Sequence, residues 1–90
     1  MIEAIVLIEA DPGRIADLAD ALLEISGVAE VYSVTGDADI VAVIRVREHE
    51  HLADVVTHGI ALATGVRRTN TLVAFRSYRN ADFAWDTGAS

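Results

Sequence analysis

Ninety residues, 52% hydrophobic and 23% charged with a single proline, suit one packed domain and are too few for two independent cores. The chain has no cysteine, which excludes disulfides, thiolate nucleophiles and cysteine-held zinc or iron–sulfur centres. A net charge of −7, with seven arginines and no lysine, argues against a continuous basic surface for nucleic acid; no apolar run reaches membrane-span length and no signal segment is visible, so a cytoplasmic location is expected.

Ile2 to Ile8 is a short, nearly continuous apolar run rich in β-branched residues, predicting a first strand buried on both faces. Asp11-Pro12-Gly13-Arg14 opens a helix, with the Asp11 side chain expected to cap an orphan N–H and Pro12 tolerated in the first turn. Ile15, Leu18, Ala19, Leu22 and Leu23 follow i, i+3, i+4, i+7, i+8 spacing, so one face of this helix should meet the core. Ser26-Gly27 ends it, and Val28 to Val34 is the second strand.

Gly36-Asp37-Ala38-Asp39 is a polar break of the kind that joins two strands, and Ile40 to Val46 is the third strand. A second helix is predicted from about His49 to Ala63, with Leu52, Val55, Val56, Ile60 and Ala63 on one side and Thr64-Gly65 as its stop. The last strand should run from about Arg67 to Tyr78. Arg67-Arg68 is read as solvated charge at its start, with no phosphate role.

The two halves echo one another, since Ile25-Ser26-Gly27-Val28 and Ala63-Thr64-Gly65-Val66 each close a helix and start a strand, with the glycines 38 positions apart. A doubled β-α-β unit with right-handed crossovers implies an α+β fold, a ferredoxin-like βαββαβ sandwich with both helices on one face of an antiparallel sheet. Strands three and four carry apolar residues on both faces: Ile40, Ala42, Ile44 and Val46 against Val41 and Val43, and Thr69, Thr71, Val73 and Phe75 against Leu72 and Ala74. Two helices cover one face, so the other is expected to meet a second copy in a sheet-on-sheet homodimer, a dimeric α/β-barrel assembly.

The histidines offer the first chemical possibility. His51, Asp54 and His58 share one helix side, but two imidazoles seven residues apart are separated by roughly 10 Å, too far to chelate one ion without help from another subunit. No metal site is therefore assigned, and no nucleophile, cofactor motif or acid–base pair is found. Asp37 and Asp39 follow Gly36 in a tight loop whose backbone N–H groups can converge on a carboxylate while an acidic side chain accepts an ammonium, an arrangement suited to an amino acid; an ordinary Asx turn explains the same residues.

With Val34-Thr35-Gly36-Asp37-Ala38-Asp39 ahead of one strand, and Gly65-Val66-Arg67-Arg68-Thr69-Asn70-Thr71 after the second helix, the sequence resembles the ligand-binding domain of the Lrp/AsnC (feast/famine) regulators over about residues 1–79. The resemblance implies dimers formed through the sheets, rings of dimers, and amino-acid effectors held between dimers. Carried over by position, it implies that Gly36 and Asp39 contact the ligand from the loop and that Thr69 and Thr71 do so from the last strand, with Thr35 and Asp37 as adjacent candidates. Where the family often has Tyr, this chain has Ala38, which removes a ring and a phenolic donor from the expected pocket. The chain begins at the first strand without a helix-turn-helix segment, so the resemblance is to the stand-alone regulation-of-amino-acid-metabolism (RAM) members.

The expected function is an effector-binding and oligomerisation module that acts on transcription indirectly, alone or with a DNA-binding Lrp/AsnC relative, without direct nucleic-acid or membrane contact and without enzymatic activity. The alternative is a small dimeric α/β-barrel enzyme with a pocket inside each protomer. An ACT-like sensing domain shares the element order but pairs its sheets edge to edge, which the apolar sheet face disfavours. The tail, residues 80–90, carries Phe83 and Trp85 close together and is expected to dock on a neighbouring subunit.

Overall fold

The computed structural model describes residues 1–80. Strands β1 (Ile2–Ala10), β2 (Val28–Ser33), β3 (Ile40–Val46) and β4 (Val66–Val73) form one sheet in the order β2-β3-β1-β4, every neighbouring pair antiparallel. Helix α1 (Ile15–Leu23) follows a 3-10 turn at Pro12–Arg14, and helix α2 (His49–Asp54) continues through a π turn at Val55–Gly59 into a 3-10 turn at Ile60–Leu62. This is the expected ferredoxin-like sandwich. The proposed docking of Phe83 and Trp85 lies outside the described residues.

The strand alternation decides which side chains meet the helices. Ala4, Val6, Ile8 and Ala10 of β1 and Ile40, Ala42, Ile44 and Val46 of β3 are buried against Leu18 and Leu22 of α1 and Leu52, Val55 and Ile60 of the second helical segment. Each fully buried Leu, Ile or Val contributes about 1.5–3 kcal/mol, so the two central strands and the helices above them carry most of the stability. The opposite face of β1 and β3 shows Glu3, Ile5, Leu7, Glu9, Val41, Val43 and Arg45, all exposed or half-buried. Strand β1 is thus buried on one face only within the protomer, a correction to the expectation of two.

Four further expectations differ in detail. Strand β4 ends at Val73 rather than Tyr78: Val73 lies opposite Ala4, Ala74 N donates to Glu3 O at 2.9 Å, and beyond Glu3 only Ile2 of β1 remains, too short a neighbour to carry a strand to Tyr78. Leu23 is 52% exposed: one residue round the helix from Leu22, it passes beyond the sheet contact. The Asp11 side chain caps no N–H; its backbone O accepts from Arg14 N at 2.9 Å while its carboxylate turns to within 3.7 Å of Arg67 Nε.

The second helix is not one regular helix. Val55 and Ile60 are both buried although five residues apart, which in a regular α-helix would set them roughly 140° out of phase. The wide turn between them restores both to the core side, at Gly59, whose missing side chain admits Ile25: a Cβ there would sit 3.0 Å from Ile25 Cγ2.

Candidate functional site

The loop between β2 and β3 is stapled to the end of β1. Asp39 N donates to Ile8 O at 2.9 Å, Val34 N donates to Asp39 O at 3.0 Å, and Ala10 N donates to Asp39 Oδ2 at 2.8 Å. Asp39 is half-buried, whereas Thr35, Gly36 and Asp37 are exposed. Gly36 has φ +125°, a backbone conformation that side-chain-bearing residues rarely adopt, and nothing lies within 4 Å of where its Cβ would be. The loop is therefore held by Asp39 and turned at Gly36, with open space around the turn.

Thr69 and Thr71 stand in register with Ile8 and Val6, and so share the helix-side face of β4. Asp39 precedes β3 on one flank of β1, and Thr69 lies on the other. Two inter-strand spacings, about 10 Å, separate their backbones. The loop candidates and Thr69 thus lie near the same end of the sheet, with Thr71 opposite Val6 at mid-strand, and the six do not converge on one point within a protomer.

Asp37 belongs to a different concavity. With Leu7, Glu9, Ala38, Arg68 and Asn70 it lines a cleft of about 210 Å³ on the open face of the sheet. Arg68 Nη1 lies 3.7 Å from Glu9 Oε2 there, both side chains well exposed. Glu9 and Asn70 are not singled out from the sequence, and Arg68 is read there only as solvated charge. Their signal is the period-two alternation of β1 and β4, which places them on the open face but does not say that Asp37 reaches the same cleft.

At the other end of the open face, a cleft of about 350 Å³ is lined by Glu3, Glu30, Tyr32, Arg45 and Arg79 over a floor of Ile5, Val43 and Ala74. Arg45 Nε lies 2.6 Å from Glu3 Oε2, its Nη1 lies 2.9 Å from Glu30 Oε1, and the Tyr32 hydroxyl donates to Glu30 Oε2. Arg79 Nη2 adds a contact to Glu3 at 3.5 Å. The bond from Arg45 holds the Glu3 carboxyl below the ordinary glutamate range, the bonds from Tyr32 and Arg45 do the same for Glu30, and Glu30 in turn raises the Tyr32 phenol.

His51, Asp54 and His58 border a third cleft with Ile25, Ser26, Val55 and Gly59, and His58 Nδ1 is 3.4 Å from Asp54 Oδ1. All three are exposed, and among the described residues no three His, Asp or Glu groups gather closely enough to hold a metal ion. Arg67, expected as solvated charge, is exposed near Asp11, as Arg68 is near Glu9. Every side chain buried in the described residues is apolar, and no helix there is long and apolar enough to cross a membrane.

Comparison with known proteins agrees with this architecture. HTH-type transcriptional regulator FL11 of Pyrococcus abyssi is 32% identical over 76 residues, covering 84% of this chain and 50% of that protein. The chain spans about half the length of the curated relatives it matches, which are transcriptional regulators by name. The crystal structure of TTHA0845 from Thermus thermophilus is 51% identical, covering 89% of this chain and 100% of that one, with a TM-score of 0.83. The feast or famine regulatory protein Rv3291c of M. tuberculosis, solved in complex with L-methionine, is 27% identical over 90% of this chain and 54% of that one, with a TM-score of 0.74. The family model for the Lrp/AsnC ligand binding domain matches residues 3–82, and with a ferredoxin-like fold and regulator relatives on both sequence and structure, the chain belongs to the Lrp/AsnC ligand-binding-domain family.

Proposed function

We propose that this chain is a cytoplasmic effector-binding and assembly module that takes up an amino-acid-like ligand between dimers and affects transcription indirectly, by co-assembling with a DNA-binding relative or by sequestering the metabolite. The carrying observation is the division of the candidate residues across β1. Asp39 lies on one flank and Thr69 on the other, their backbones about 10 Å apart, with Thr35 and Gly36 on the Asp39 side, Thr71 two residues further along β4 and Asp37 turned to the open face, so one protomer supplies only part of a wall around a ligand. A neighbouring dimer completes it. In that site the loop N–H groups around Gly36 face a carboxylate, the Asp39 oxygen not engaged by Ala10 N–H attracts an ammonium, and the two threonine hydroxyls take the remaining polar atoms.

Self-association is supported by the open sheet face. Ile5 is 39% and Leu72 48% exposed, and with half-buried Leu7, Val41 and Val43 they form an apolar band that helices never cover. A two-fold sheet-on-sheet dimer removes it from water, and rings of such dimers then bring loops and β4 strands together. A barrel enzyme with its pocket inside each protomer has less support, since the side chains buried between sheet and helices in the described residues are all apolar.

Native mass spectrometry with a panel of amino acids, beginning with L-methionine because a 27% identical structure was solved with it, tests the reading. The expected result is an even-numbered oligomer that takes up one member of the panel. Absence of uptake across the panel by a chain that still assembles would refute the effector assignment.

A further inference from the structure

The polar row at one end of the open face has a charge pattern unlike the rest of the molecule. The chain as a whole carries −7, yet the strand residues of this face together with Asp37 and Arg79 contribute four carboxylates, Glu3, Glu9, Glu30 and Asp37, against three guanidiniums, Arg45, Arg68 and Arg79. Most of the negative excess therefore lies elsewhere. Within the row itself, Glu3 and Glu30 are balanced by Arg45 and Arg79, and the participants come from β1, β2, β3 and the segment after β4, so the balance exists only once the sheet is assembled.

Arg45 is the centre. An arginine on a water-facing strand usually extends its guanidinium away from apolar neighbours. Here the side chain bonds carboxylates on the strands to either side, beside Ile5 and Val43, and is only 36% exposed. Such an arrangement contributes little in water, because exposed ion pairs are weak. It matters when the face is desolvated: a charge that already has its hydrogen-bonded counter-charge can be covered, whereas an unpaired one resists burial strongly.

Resting on the reading that this face meets a second copy of the chain, we propose that the row Tyr32–Glu30–Arg45–Glu3–Arg79 is a charge-matched lock for self-association, neutralised within each protomer so that an identical face can close over it. The partner it fits is a second copy, whose row is equally neutral and whose apolar band continues the contact from Ile5 and Leu72. A partner presenting excess charge of either sign over this cleft leaves a charge buried without a counter-ion and is rejected. The lock thereby selects the partner as well as permitting the contact.

Sedimentation over a concentration series at neutral pH tests this, with circular dichroism to confirm that each variant keeps its fold. Arg45→Met takes the cation from Glu30 and leaves the row one charge negative, with only Arg79 beside Glu3, and is expected to weaken the dimer by roughly ten- to a hundredfold. The combined Glu30→Gln, Arg45→Met variant is neutral again, with Glu3 left beside Arg79, and is expected to recover association to within about threefold of the parent, roughly the error of treating the row as closed. Ile5→Ser with Leu72→Ser probes the face alone. If that pair leaves assembly unchanged, the sheet-face reading fails and the lock with it. If the pair dissociates the dimer while Arg45→Met does not, or if the neutral Glu30→Gln, Arg45→Met variant stays dissociated, the lock is overturned and the sheet-face interface stands.

Discussion

Asp39 staples the loop and is the proposed acceptor for a ligand ammonium, two effects that substitution can separate. Its Oδ2 accepts the Ala10 N–H at 2.8 Å in a partly buried contact, and Ala10 is only 3% exposed, so water has little access to that N–H. Asp39→Ala orphans a buried N–H at a cost of about 1–3 kcal/mol. At about 4–8 °C per kcal/mol for a domain this small, a loss near 2 kcal/mol lowers the melting temperature by roughly 8–16 °C. Asp39→Asn keeps an oxygen that accepts the same N–H and forfeits only the charge assistance, about 1 kcal/mol or less. For a ligand ammonium the order reverses, because Asn removes the charge that draws it: a charge-assisted contact of about 1.5–3 kcal/mol corresponds to roughly ten- to a hundredfold in affinity. Thermal melts followed by circular dichroism, and calorimetry with whichever amino acid binds the parent, read the two effects. A melting temperature for Asp39→Ala within ~2 °C of the parent would refute the staple, and an unchanged affinity for Asp39→Asn would remove Asp39 from the ligand site.

Gly27 and Gly36 both have positive φ, +102° and +125°, but only Gly27 is crowded, with Val46 Cγ1 2.9 Å and Val55 Cγ2 3.0 Å from where a Cβ would stand. Gly27→Ala is expected to lose about 2–5 kcal/mol from backbone strain and overpacking together, and Gly36→Ala about 1–2 kcal/mol from strain alone; equal urea-denaturation losses would contradict this. Gly36→Val also crowds the loop N–H groups and is expected to abolish amino-acid uptake measured by calorimetry; retained uptake would take the loop out of the site. Glu3 and Glu30 are held below the ordinary glutamate value of 4.5 in the folded protein. A lowered folded value gives stability that is fully present above the unfolded value and lost as pH falls through the folded one, so urea midpoints should drop below about pH 4.5, less steeply in Arg45→Met, and identical slopes would refute the coupling.

Much of the architecture was legible from periodicity, and the reasons are local. Ile40–Val46 is an apolar run broken only by Arg45, and β3 occupies that range with every second side chain buried. Gly27 and Gly65 punctuate the two helix-to-strand turns, where both adopt positive φ. Local pattern failed where a partner element sets the outcome. Residues 74 to 78 read as strand, but a strand lasts only as long as its neighbour, and β1 ends the ladder at Ala74. Val55 and Ile60 face the core together as expected, but through a π turn that no 3.6-residue pattern announces.

The candidate site divides along the same line. The sequence by itself determined which chemical groups are present: a glycine turn beside two aspartates, a threonine pair near the start of the last strand, acids and arginines alternating with apolar residues along the sheet. The tertiary structure alone decided how they are grouped. Strand order put β1 between Asp39 and Thr69, turned Asp37 toward Arg68 and Asn70 across the open face, and drew Glu3, Arg45 and Glu30 from three strands into one row. Alternation along a strand is a property of the chain, readable two residues at a time; adjacency between strands is a property of pairing and register, which arises from packing the whole sheet against its helices and is written at no single position.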